Sequence, residues 1–253
     1  MDAILETVHL SKKFGGLEAV TNLSFSVGKG ELMGIIGPNG AGKTTLFNLL
    51  TGFLSPTSGD IVFNGRSIVG KKPFEIVSRG ISRTFQIVRP FQQLTLLDNV
   101  MVPLQAPKNR KKNRDFMKNQ ERAAGILDQV GLADKMLLLA ADLSHGDLRR
   151  LEVARALATS PDLILLDEPF SGLAISEIES LSDLIRKLRE GGQTIIIIEH
   201  VLRQLMKLVE RILVIHFGAK LADGPKEAMA RDPKVIEAYM GEKGEEIDVP
   251  SSS

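Results

Sequence analysis

Cysteine is absent from this 253-residue chain, which excludes disulfide staples and thiolate metal sites and suits a reducing compartment. Also lacking is any excess of one charge: Lys and Arg number 32 against 31 Asp and Glu, a formal net charge of +1. Proteins that hold nucleic acid by bulk attraction carry a marked basic surplus, so no nucleic-acid partner is expected. Long apolar runs are missing too. The most apolar segments, residues 163–166 and 195–198, are strand-sized and far short of the roughly 20 residues that span a bilayer. Any membrane role therefore needs another chain. The opening MDAILETVHLSKKF has no apolar stretch behind a basic leader, so it does not read as a signal peptide and the protein is expected to stay inside the cell. With 43% hydrophobic and 25% charged residues, what remains is an ordinary globular composition, and the length supports a substantial core.

Strand signals come first. Residues 4–8 alternate loosely, 23–27 alternate cleanly, and 61–63 run into the turn pair Asn64-Gly65, the pattern of antiparallel strands with one wet face. Between them, residues 32–36 form a short apolar run before a Gly-rich loop, and residues 44–50 then read as a helix with Leu46, Leu49 and Leu50 on one face. From about residue 87 to 142 the periodicity turns helical, with Ala123, Ile126, Leu127 and Val130 at helical spacing and a basic patch at residues 108–118. Such a patch is suited to anionic lipid heads or an acidic partner surface, but runs of this kind are usually solvated faces. Residues 162–166 and 194–198 are continuous apolar runs, the mark of parallel strands covered on both faces. A helix at about 176–189 links them into a βαβ unit, 211–215 adds a further strand, and the end is polar.

The loop Gly37, Pro38, Asn39, Gly40, Ala41, Gly42, Lys43, Thr44 fits the pattern G-x-x-x-x-G-K-[ST]. Its glycines let the backbone turn its N–H groups toward phosphate oxygens, and the helix that begins near Lys43 reinforces the attraction. Lys43 has the reach for β- and γ-phosphates, and the Thr44 hydroxyl suits Mg²⁺. With a strand before and a helix after, the loop predicts a nucleoside-triphosphate site, in which Thr45 joins the phosphate contacts. A second feature is the apolar strand that ends in Asp167 and Glu168. Ligands of open α/β sheets bind beyond the carboxyl ends of the strands, so this acidic pair is expected to share a crevice with the phosphate loop. There Asp167 is placed to hold Mg²⁺, and Glu168 to polarise the attacking water. Third, Leu143, Ser144, His145, Gly146 and Asp147 precede a helix whose apolar positions are Leu148, Leu151, Ala154 and Leu157. Ser144 and Asp147 stand at capping-box spacing, with Asp in place of the usual Glu or Gln. A capped N-terminus is also an anion site, so the residues leave open whether this end only caps or also binds.

Taken in order, these motifs resemble the nucleotide-binding subunits of ATP-binding-cassette transporters, over nearly the whole chain. LSHGD stands where that family has its LSGGQ-like signature. Gln86, in RTFQ, matches the Q-loop glutamine, also a metal contact. His200 matches the switch histidine, and Phe14 the aromatic that stacks on adenine. The resemblance implies ATP and Mg²⁺ as cofactors and a catalytic group of Glu168, His200 and Gln86. It also implies a head-to-tail pair in which Ser144 and Gly146 of one subunit cover the γ-phosphate of the ATP held by the other. The implied partners are transmembrane permease subunits, a second ATPase as homodimer or heterodimer, and, indirectly, a periplasmic or extracellular binding protein. The implied place is the cytoplasmic face of the cell membrane, as a peripheral subunit.

The fold expected is α/β: a P-loop NTPase with a mostly parallel core sheet, an N-terminal antiparallel β subdomain and an α-helical insert. Residues 1–86 would hold the antiparallel β and phosphate-loop part, 87–158 the helical subdomain ending in the signature helix, 159–240 the rest of the core, and 241–253 a polar tail. His145, Asp147, Ala174 and Val201 depart from the family pattern, and Ala174 removes a side-chain polar contact across the pair. Within the family, RTFQIVRPFQQLTLLDNV and VIEAYMGE are similar to the ATPase subunits of branched-chain amino acid importers. A lipopolysaccharide-export ATPase and a soluble ATP clamp are the alternatives. A GTPase would carry an N/T-K-x-D segment, which this sequence lacks, and a kinase has no use for LSHGD.

Overall fold

A computed structural model describes residues 3–85, 90–105, 115–200 and 202–240. In chain order the first elements are β1 (Ala3–Phe14), β2 (Leu17–Gly28), β3 (Leu32–Ile36), α1 (Lys43–Leu50), β4 (Ser58–Phe63), β5 (Arg66–Ser67), α2 (Pro73–Arg79) and β6 (Ile81–Arg83). They are followed by α3 (Leu96–Leu104), α4 (Phe116–Gln129), α5 (His145–Leu157), β7 (Leu163–Asp167) and α6 (Ile175–Glu190). The remainder is β8 (Thr194–Ile198), α7 (Leu202–Leu208), β9 (Arg211–His216), β10 (Ala219–Pro225), α8 (Lys226–Met229) and α9 (Pro233–Met240). These divide into two compact units, one drawn from residues 1–73 and 192–253, the other from 74–191.

The first unit holds an antiparallel sheet in the order β2-β1-β4-β5 and a run of strands in the order β10-β9-β3-β8. β3 pairs in parallel with both β8 and β9, and β10 closes the run antiparallel to β9. All five residues of β3 and of β8 are buried, as continuous apolar runs require. The antiparallel strands β1 and β2 are longer than their alternation suggests. His9 and Asn22 both take left-handed backbone conformations, φ +48°, and their side chains meet at 2.7 Å. The pairing register shifts there, so the strands carry on past a bulge that scrambles the inside-outside pattern. Asn64 and Gly65, at φ +48° and +71°, make the tight turn from β4 to β5 that the dipeptide predicts. Leu46, Leu49 and Leu50 of α1 are buried, and so is Phe47, which makes this helix apolar over more of its circumference than one face.

In the second unit β6 and β7 pair in parallel, Ile81 beside Leu163. The three helices α3, α4 and α5 lie in the region read as a helical insert. Each starts on a side-chain cap: the Thr95 hydroxyl accepts the Asp98 N–H, the Asp115 carboxylate the Met117 N–H, and the Ser144 hydroxyl the Asp147 N–H. Such caps satisfy N–H groups that a helix cannot satisfy itself. The fully buried Asn99 donates to the carbonyls of Phe91 and Thr95 and accepts the Phe91 N–H, which pins the segment before α3. Of the basic patch, residues 108–114 lie outside the described residues. Val201 and residues 241–253 also lie outside them.

Candidate functional site

The phosphate loop joins β3 to α1 inside the first unit. Two of its glycines are dictated by neighbouring backbone. A Cβ at position 37 would sit 2.1 Å from the Ile215 carbonyl oxygen, and one at position 42 would sit 2.3 Å from that of Ala19. Gly42, at φ +101°, is also the N-cap of α1, where no side chain caps the helix and the first turn carries no acidic residue. A helix start with no side-chain cap and no acidic neighbour is a place where an anion is favoured. Thr44 is exposed and Thr45 half-buried. Lys43 is 7% exposed and folds back along the loop, donating to the carbonyls of Gly37 and, at 2.9 Å, Pro38.

Two other predicted residues belong to this unit. Phe14 ends β1 and is about half exposed. The Lys12 ammonium stands 5.1 Å from the ring centroid and is anchored by the Ser55 carbonyl at 2.8 Å. A cation on an aromatic face is attractive, and the exposed remainder suits a planar base. His200 follows β8 with its side chain 52% exposed and Nδ1 3.9 Å from Oε2 of Glu199, a fully buried carboxylate. That oxygen also accepts the His200 N–H at 3.2 Å. His200 is therefore not a core histidine; it is a surface imidazole flanked by an acidic anchor that the sequence reading missed.

The acidic pair lies in the second unit. Asp167 is the last residue of β7 and is buried. Its Oδ2 accepts from Arg83 at 2.6 Å, both side chains being 6% exposed. The partner is the first residue of RTFQ, a segment read only for its glutamine. Glu168, the next residue, is half-buried with φ +48°. A carboxylate residue held in the left-handed region stores backbone strain of about 1–3 kcal/mol, a feature that clusters at functional sites.

The signature segment is built in the same unit. Ser144 is the N-cap of α5, accepting the Asp147 N–H at 3.2 Å. The reciprocal half of a capping box is missing, because the Asp147 carboxylate pairs with Lys135 at 2.6 Å, which raises the Lys135 pKa above its ordinary value. The shorter side chain at 147 explains the difference: it turns to a neighbour and not back along its own helix. The Gly146 N–H donates to Oε1 of Glu177 at 3.1 Å. At the start of α6, Ala174 offers no side-chain cap, but its N–H donates to Oε2 of the same Glu177 at 2.9 Å.

One turn further along α5, Arg149 and Glu152 are buried and paired at 3.2 Å. Arg149 donates to the Phe85 carbonyl at 3.3 Å, so this pair grips the residue before Gln86. Burial pushes the Glu152 carboxyl up to about 7, against the pull of the Arg149 and Arg155 charges. Gln86 lies outside the described residues. Among the described residues no helix is long and apolar enough to cross a membrane.

Comparison with known proteins gives this arrangement its family. The ABC transporter family profile matches residues 20–171. The chain is 40% identical over 247 residues to the high-affinity branched-chain amino acid transport ATP-binding protein LivG of Salmonella typhimurium, covering 92% of this chain and 96% of the relative. It superposes on an ATP-binding cassette of an ABC transporter solved in its ADP conformation, with a TM-score of 0.88 and 33% identity, over 96% of this chain and all of that one. A second cassette, solved as a dimer in a post-hydrolysis state with ADP and phosphate, aligns with a TM-score of 0.76 and 27% identity, over 88% of this chain and 98% of that one. With its phosphate loop, its acidic strand end and its signature helix start, the chain belongs to the ABC transporter family as an ATP-binding cassette, a nucleotide-binding P-loop ATPase.

Proposed function

We propose that this chain is the ATP-hydrolysing subunit that powers import of branched-chain or related amino acids, working as a peripheral subunit on the cytoplasmic face of transmembrane permeases. The observation that carries the reading is the 40% identity to LivG across 92% of the chain. In this reading Gly37 to Thr45 hold the triphosphate, Phe14 stacks on adenine, and Glu168 polarises the attacking water, with His200 and Gln86 at the γ-phosphate. Ser144 and Gly146 reach the nucleotide of a second ATPase subunit, either another copy or a sister chain. The cassette solved as a dimer with ADP and phosphate supports such pairing in a relative. A binding protein that delivers the substrate acts on the permease and only indirectly on this chain.

The donors suit Mg²⁺. Thr44 would bring an exposed hydroxyl and Gln86 an amide oxygen, both hard oxygen ligands, while Asp167, buried with its Oδ2 held by Arg83 at 2.6 Å, would offer its other carboxylate oxygen. Among the described residues no cluster of three or more His, Cys, Asp or Glu forms a metal cage. When bound, Mg²⁺ neutralises charge on the triphosphate; the chain's own part is to position and to accept the proton.

The decisive experiment is Glu168→Gln. Loss of a general base costs about 10²–10⁴ in rate, so Mg²⁺-dependent turnover is expected to fall by at least a hundredfold while ATP binding persists. Unchanged turnover would remove Glu168 from its role. Purification from native membranes, with mass spectrometry of what accompanies the chain, tests the transport assignment. Permease subunits of an amino acid importer support it, a lipopolysaccharide-export permease redirects it, and absence of any membrane protein favours a soluble clamp.

A further inference from the structure

Both groups of the signature end that would meet a phosphate are engaged inside the chain. The Ser144 hydroxyl holds the Asp147 N–H, and the Gly146 N–H points to Oε1 of Glu177 at 3.1 Å. The other oxygen of that carboxylate holds the Ala174 N–H at 2.9 Å. One side chain thus ties the first turn of α5 to the first turn of α6. A Cβ at position 146 would come within 2.7 Å of Oε1, so glycine at that position is what admits the carboxylate. A carboxylate is the kind of group that the N-terminal end of a helix attracts, and a phosphate oxygen is another. Two anions on one N–H group repel each other, so they exclude one another.

We propose that Glu177 is a positioning residue for the shared site: its carboxylate stands where the γ-phosphate of the second subunit's nucleotide meets Gly146, and it withdraws from that N–H for the two subunits to close on ATP. The inference rests on the reading in which Ser144 and Gly146 face a partner's nucleotide. The bond to Ala174 gives the side chain a second anchor, so Oε1 leaves while Oε2 stays. Glu177 then sets the ATP concentration at which pairing occurs, and returns to Gly146 as the pair separates. A side chain that merely capped α6 would have no such effect.

The test uses the full chain with Glu168→Gln to arrest hydrolysis, and sedimentation velocity to follow dimerisation against ATP concentration. Glu177→Gln keeps an oxygen for the Ala174 N–H and removes the competing charge. A charge-assisted hydrogen bond is about twice as strong as a neutral one, so dimerisation is expected at roughly fivefold to tenfold lower ATP, with a melting temperature within a few degrees of the parent. An ATP requirement that is unchanged or raised overturns the proposal. Glu177→Asp, which shortens the reach to Gly146, provides a second charged variant and is expected to ease pairing in the same direction, while no easing counts against the latch. Ser144→Ala separates the two levels. If it leaves dimerisation untouched, the shared-site reading fails and the proposal falls with it. If it weakens dimerisation while Glu177→Gln gives no easing, only the role of Glu177 fails.

Discussion

The Arg83–Asp167 pair offers the sharpest test of how the acidic strand end is held. The two groups meet at 2.6 Å with both side chains 6% exposed, so water does little to screen either charge. Removing one partner of such a pair leaves the other charge buried and costs about 3–5 kcal/mol, whereas removing both costs much less. Arg83→Met retains most of the aliphatic stem and is expected to destabilise by about that amount. It also loses the guanidinium over the Phe85 ring, 5.1 Å away, a contact of up to about 2 kcal/mol where the cation is desolvated. Asp167→Asn keeps shape and removes the opposite charge, with a loss of similar size. The double variant should be no less stable than the worse single, so the cycle returns a coupling of about 3 kcal/mol. Urea unfolding followed by circular dichroism measures it, provided the dependence on denaturant keeps the same slope. Strictly additive losses would refute the reasoning, since they would mean that the two charges do not see each other.

Glu152 gives a pH prediction. Its carboxyl is raised from 4.5 to about 7, chiefly by burial, so the folded chain binds this proton more tightly than the unfolded one. Stability from this group is then greatest below about pH 4.5 and is lost as pH climbs to about 7, by about 3 kcal/mol in total at 1.36 kcal/mol per unit. Glu152→Gln should flatten that slope in urea midpoints taken across the window; parallel curves for the two proteins would contradict it. For the base site, Phe14→Ala should weaken nucleotide binding by roughly fivefold or more, since stacking on an aromatic contributes about 1–3 kcal/mol, while Phe14→Trp retains binding. A fluorescent ATP analogue reads both, and equal affinities would take Phe14 out of the site.

Much of the frame is readable along the chain because its causes are local. β3 and β8 are buried in all five residues, as strand-length apolar runs next to a Gly-rich loop or a βαβ helix lead one to expect. The Asn64-Gly65 turn and the Ser144 cap are likewise written in adjacent residues. The partners of the functional groups are not. Arg83 meets Asp167 across 84 positions, and Glu177 meets Gly146 across 31. No periodicity records which acid a tertiary fold brings to which donor. Glu177 did leave a trace, since it stands three residues after Ala174, the spacing at which a Glu returns to an N-cap. Ala174 hid it by lacking the polar side chain that makes a capping box recognisable. The bulge at His9 and Asn22 concealed the length of β1 and β2 in the same way, by breaking the alternation that would have marked them.

The internal partners of the proposed nucleotide contacts are unequal, and the inequality suggests an order of events. Lys43 donates to neutral carbonyls, at 2.9 Å in the case of Pro38. Exchanging these for phosphate oxygens replaces ordinary hydrogen bonds with charge-assisted ones, about twice as strong. Gly146, by contrast, already donates to a carboxylate, so exchanging that anion for a phosphate oxygen gains little beyond the bond it gives up. On the proposed reading the phosphate loop therefore supplies most of the affinity for nucleotide, and the signature end contributes only a small surplus on pairing. A small surplus is what a cyclic machine needs at that contact. If Gly146 gained as much from the γ-phosphate as Lys43 does, loss of that phosphate would have to overcome a far deeper minimum, and the pair would separate slowly.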